Sequence, residues 1–116
     1  MASSVQTQPH APSSTPELEH RFRRLAEQWR EETRATSSLS RLVMHPAYQQ
    51  IIGMGAPAVP LIVRELRERP NHWFWALFSI LGVNPVPPED AGDLERMTEL
   101  WLAYLRQHHP ELVPPS

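Results

Sequence analysis

Leu18, Phe22, Leu25 and Trp29 recur at steps of four, three and four, with charged residues filling most of the positions between them. That spacing places the four on one stripe of a helix. Ser14 or Thr15 can cap it, Pro16 suits its first turn, and Glu17 stands three residues after Ser14 as a capping box requires. Glu17 with Arg21, and Glu19 with Arg23, add the i,i+4 spacing that supports a helix. A second, short helix carries Leu39, Leu42 and Val43 behind a cap at Ser37 or Ser38. Pro46 ends or kinks it, because a proline disfavours helical geometry in the residue before it, so His45-Pro46 is a boundary.

The next segment, "PAYQQIIGMG", puts Tyr48, Ile51 and Ile52 on one side, with Gly53 placed as a left-handed stop. Val59, Ile62, Val63 and Leu66 follow at i, i+3, i+4 and i+7, predicting a helix from about Pro57 to Arg69 in which Pro60 must lie in the first turn. Asn71 can cap "HWFWALFSILG", whose apolar residues surround the helix so fully that it reads as the buried central element, ended by Gly82. A proline-rich loop then leads to a last helix from about Asp93 to His108, with Leu94, Met97, Trp101, Tyr104 and Leu105 inward. No stretch alternates with period two, so no sheet is expected. The pattern predicts an all-α, compact bundle of about five helices.

Between two of these helices, Gly53-x-Gly55-x-x-Ala58 matches the outline of a dinucleotide-binding fingerprint. Such a loop works only where a strand delivers the chain into the glycine turn and a second parallel strand follows the helix. The pattern offers neither strand. The glycines serve instead as a bend, Gly53 closing one helix and Gly55 permitting the reversal before Pro57.

The residues "MGAPAVPLIVREL" resemble the second-helix signature of HEAT-like α-helical repeats, in which a small-residue turn and an Ala-Val-Pro-Leu opening precede a helix that packs on its predecessor. The resemblance spans about residues 46–69 and implies a HEAT-like helical hairpin at the centre of the bundle. The strings "HPAYQQIIGMG" and "HWFWALFSILGVNPVPPED" are also similar to a group of small uncharacterised bacterial proteins, which implies a single small helical domain and brings no activity with it. The unit is not repeated at a fixed period, as a true solenoid requires.

Composition narrows the function. The 116 residues suit one domain, expected over residues 15–110 between a disordered tail at 1–14, rich in Ser, Thr, Gln and Pro, and a flexible end at 111–116. Without cysteine there is no disulfide framework, thiolate metal site or cysteine nucleophile. The start of the chain lacks a signal-peptide pattern, and no apolar run approaches a membrane span, so a cytoplasmic protein without membrane contact is expected. A net charge of −2 gives no general attraction to nucleic acid. The eleven basic residues are all arginine; Arg23, Arg24, Arg30 and Arg34 concentrate on the first helix, which also carries five glutamates, so that nucleic-acid binding is the alternative rather than the leading reading.

The six histidines are not spaced as a metal site. His108 and His109 suit a helix C-terminus, and His45 and His72 sit at boundaries. The acidic run of Glu89, Asp90, Asp93, Glu95 and Glu99 suits the N-terminus of the last helix. An orphan metal-dependent enzyme using His45, His72 and that run is the least favoured reading. Neither a nucleophile elbow nor a Walker loop occurs, and no cofactor is implied. What remains is aromatic: Trp73, Phe74, Trp75 and Phe78 cannot all point one way from a helix. Trp73 or Trp75, with His72 and Tyr48 nearby, is therefore the expected anchor for another protein. The reading is a non-catalytic protein-binding module of the bacterial cytoplasm, of the kind an accessory subunit or antitoxin-like partner provides.

Overall fold

Thr15 caps α1, Pro16–Glu32, by accepting the Leu18 N–H on its side-chain oxygen at 3.1 Å, with Pro16 in the first turn. The computed structural model describes residues 15–69 and 71–115; the expected tail at 1–14, with the alternative cap Ser14, lies outside them. Phe22, Leu25 and Trp29 of the expected stripe are buried, together with Ala26, and Leu18 lies at its edge. Among the described residues the Glu17–Arg21 and Glu19–Arg23 pairs do not close; α1 instead spends Arg30 on Glu65, at 2.7 Å, which ties it to the fourth helix.

Ser38 caps α2, Leu39–Met44, by accepting the Arg41 N–H at 3.4 Å. Its far end is fixed by the Trp29 indole N–H, which donates to the Leu42 carbonyl at 2.8 Å. His45 is the hinge into α3, Pro46–Gly53: the Ala47 N–H donates to its Nδ1 at 3.0 Å, and its Nε2 lies 2.7 Å from Glu32 Oε1. The expected boundary thus carries an imidazole cap.

The bend after α3 is built by Gly55. Gly53 is the last residue of the helix and has no positive φ, so the left-handed stop expected there is corrected to Gly55, at φ 73° and ψ −154°, a region essentially reserved for glycine. A single 3₁₀ turn, Ala56–Ala58, then leads into α4, Val59–Glu68, with Pro60 in its first turn. The fingerprint-like glycines therefore join two helices, and no strand occurs among the described residues. Gly55→Ala is expected to destabilise the fold by about 1–3 kcal/mol. Gly53→Ala should raise stability by about 0.5 kcal/mol, because an added Cβ meets open space there and the unfolded chain loses freedom. Urea denaturation of the two variants measures both signs; a loss at Gly53 equal to that at Gly55 would contradict this account of the bend.

The fifth helix, α5, Phe74–Leu81, ends at the left-handed Gly82 as expected, but its start differs. Asn71 Oδ1 accepts the N–H of the very next residue, His72, at 2.8 Å and does not cap the helix. The capping acceptor comes from α3: the Ala76 N–H donates to the Tyr48 hydroxyl at 2.9 Å, and that hydroxyl donates to the His72 carbonyl at 2.8 Å. One phenol thus satisfies a helix N-terminus and the loop before it.

Asp93 caps α6, Leu94–His108, by accepting the Arg96 N–H at 3.1 Å. A 3₁₀ turn follows, Pro110–Leu112, and Leu112 is buried, while Arg67 of α4 donates to the Pro114 carbonyl at 2.6 Å. The packed chain therefore runs beyond residue 110, where the sequence places its end.

These six α-helices form an all-α bundle. α3 sits between α1 and α5, with α2 beside it, and α4 packs on α6. The centre is aromatic: the Trp73 ring lies 4.6 Å from Trp29, 5.5 Å from Tyr48, with which it stacks, and 5.8 Å from Phe22. Rings at such separations gain more than their area alone supplies.

Candidate functional site

α5 is too short and too sparsely neighboured to be buried all round. Phe74, Ala76 and Leu77 turn inward against α3 and the core, whereas Trp75 keeps 47 % and Phe78 37 % of its surface exposed. Three residues apart, they stand on one side of the helix with ring centroids 5.1 Å apart. The central, fully buried element expected from the all-round apolar pattern is thus corrected: one side of α5 is unpartnered. A helix apolar on every side finds cover on every side only where enough elements surround it.

The exposed pair borders a cleft of about 350 Å³. Leu39, 56 % exposed at the start of α2, lines one edge. His72 and Phe74 come from the start of α5, Asn84, Ala91 and Gly92 from the loop after it, and Leu94, Met97 and Trp101 from α6. No aspartate, glutamate, lysine or arginine lines this cleft. Such a surface removes apolar area from water when covered.

The four candidate anchors separate. Tyr48 and Trp73 are fully buried, so neither is a contact surface; both are reassigned to the core, Tyr48 by its two hydrogen bonds and Trp73 by its three ring neighbours. Trp75 is exposed, and His72 is half-buried on the cleft wall. Phe78 and Leu39 belong to the same surface. Phe78 was legible as part of the aromatic run; Leu39 was not, because only the fold brings α2 beside α5.

On α1, Arg23 and Arg24 are exposed, and among the described residues neither lies within ion-pairing distance of a carboxylate. Arg30 is engaged by Glu65, and Arg34 by Glu31 at 3.3 Å. Two of the four cations considered for nucleic acid are thus already paired, and Glu27 and Glu31 lie on the shallow surface that Arg24, Arg30 and Arg34 share. Three residues of the acidic run are likewise engaged: Asp93 caps α6, and Arg96 reaches Glu99 at 3.1 Å and Asp90 at 3.7 Å. The His108 ring lies tilted against Tyr104, ring centroids 4.5 Å apart, at the end of α6, and His109 lies 3.7 Å from Glu111. Among the described residues no three His, Asp or Glu side chains cluster in a way that could hold a metal ion, and no helix is long and apolar enough to cross a membrane. Comparison of the chain with models of known protein families, with curated proteins and with solved structures gives no match.

Proposed function

We propose that the protein is a non-catalytic binding module that docks another protein on the surface formed by Leu39, Trp75 and Phe78. One observation carries this reading: two large aromatic side chains stand together, substantially exposed, at the lip of a mainly apolar cleft. Large aromatics supply much of the binding energy of protein interfaces, and burying them is favourable because their apolar area leaves water. The surface calls for a partner whose contact face is apolar at its centre, since polar groups placed against the exposed aromatic pair would lose hydration without gaining partners there. The likeness of residues 46–69 to HEAT-like repeats agrees with a binding role and rests on the sequence; the closest neighbours of α3 in the fold are α1, α2 and α5. A bacterial cytoplasmic accessory subunit or antitoxin-like protein would use such a surface.

Site-specific photocrosslinking in the cells that make the protein tests this. A photoreactive phenylalanine at Phe78 or at Leu39 is expected to trap the same partner protein, and one at Glu27, on the arginine-bearing side of α1, is expected to trap none. Adducts to nucleic acid or protein from position 27 alone would contradict the assignment.

A further inference from the structure

His45 joins two helices through the two nitrogens of one ring. It stands between α2 and α3, and the Ala47 N–H donates to its Nδ1 at 3.0 Å, which is the side-chain cap of α3. A ring nitrogen that accepts a hydrogen bond carries no proton, so in the neutral ring the proton lies on the other nitrogen. Nε2 therefore donates to Glu32 Oε1, 2.7 Å away at the end of α1. Both contacts are made together only in the Nε2–H tautomer.

A second proton must go onto Nδ1, and it acts on the two contacts in opposite senses. An N–H cannot accept, so the Ala47 cap is lost, and the positive ring then faces the N-terminus of α3, where a cation is disfavoured. Against Glu32 the same proton turns a neutral donor into a charge-assisted pair at the distance already present. Among the described residues no other charged group lies within ion-pairing distance of the ring. α3 carries no charged residue, and Arg41, one turn earlier on α2, is exposed and closes no ion pair among them. The balance is therefore between the cap and Glu32. Thr15 and Ser38, by contrast, cap α1 and α2 with hydroxyls, which accept whether or not an imidazole is charged.

We infer that His45 is a proton-operated hinge. The neutral ring caps α3, and the protonated ring gives up that cap, frees the first turn of α3 and holds the end of α1 through Glu32. One side chain thus exchanges a contact within the α3 turn for a stronger contact between helices.

Heteronuclear NMR of the full-length chain at about pH 8 and about pH 5.5, a span across which imidazoles ordinarily change charge, tests this. At the higher pH the His45 ring nitrogens are expected to report the Nε2–H tautomer, with the Ala47 amide protected from hydrogen exchange. At the lower pH both nitrogens should be protonated. The protection of Ala47, corrected for intrinsic exchange, should then fall about five-fold, as the loss of one net hydrogen bond requires. The Leu18 amide, capped by Thr15, should keep its protection. His45→Asn sets an amide oxygen near the position of Nδ1 and takes up no proton, so Ala47 should stay protected at both pH values. Asparagine is a favoured cap, so this variant is expected to fold. His45→Gln reaches towards Glu32 without offering the cap, and should leave Ala47 unprotected at both. An Nδ1–H tautomer at the higher pH would overturn the proposal, as would a doubly protonated ring with Ala47 still protected. A ring that stays neutral at the lower pH would overturn it too. So would a loss of protection on acidification that persists in His45→Asn, because another titrating group would then be its cause.

Discussion

Trp73→Ala is expected to lower the stability of the fold by about 3–5 kcal/mol, whereas Trp75→Ala, two residues away, should lower it by less than about 1 kcal/mol. Trp73 is fully buried among Phe22, Trp29 and Tyr48, which belong to α1 and α3. Truncating it removes the ring that joins three helices and leaves a cavity that rigid neighbours cannot collapse into. Trp75 has 47 % of its surface in water already and forfeits mainly its contact with Phe78. Urea denaturation of the two variants measures the contrast. Similar losses at both positions would show that α5 is not divided into a core side and a free side.

The second large effect belongs to a single oxygen. Tyr48→Phe keeps the stacked ring and deletes the hydroxyl, leaving the Ala76 N–H and the His72 carbonyl without their partner, so the expected loss is about 1–3 kcal/mol. The effect should depend on pH in a definite direction. Burial pushes the Tyr48 phenol up from its ordinary value of 10.0, and the Ala76 N–H pulls against that more weakly. In the unfolded chain the phenol ionises near 10.0 while in the folded chain it stays protonated, so the unfolded state gains as pH rises past that value. The stability that this tyrosine contributes is complete below about pH 10 and declines above it. Phenylalanine has no such component, so the gap between wild type and Tyr48→Phe should narrow from about pH 8 to about pH 11. A gap that widened across this range would show that the hydroxyl is not buried and protonated in the fold.

Local chemistry made much of this fold readable. Thr15, Ser38 and Asp93 are caps with short-range signatures, and the stripes on α1, α4 and α6 have the helical period, so those elements lie close to where the pattern puts them. The cap of α5 was not readable, because its acceptor stands on Tyr48, 28 residues from Ala76, with no signal at Asn71 to say that it is unused. Gly53 and Gly55 are both plausible at a bend, and only backbone geometry tells which carries the positive φ. Leu112 resembles a trailing residue until the turn after α6 folds it inward.

The site divides in the same way. An aromatic excess in "HWFWALF" is visible in composition, and a helix must expose part of it. Which part depends on α3, whose packing claims Ala76 and Leu77 and leaves Trp75 and Phe78 outside. The cleft could not be anticipated at all, since it joins the start of α2, one side of α5 and one side of α6 from distant stretches of sequence. Arg30 shows the converse: it reads as a free cation on α1 and is committed to Glu65 in the fold.

The affinity of the crosslinked partner for three folded forms, wild type, Trp75→Ala and the double variant Arg23→Ala with Arg24→Ala, is the most direct measure of where this protein binds. A central aromatic anchor predicts that Trp75→Ala loses about 2 kcal/mol or more of binding, roughly thirty-fold, with little dependence on salt, and that the double arginine variant binds as wild type does. Full affinity in Trp75→Ala, with weakened and less salt-dependent binding in the arginine variant, would contradict the account and move the interface to α1.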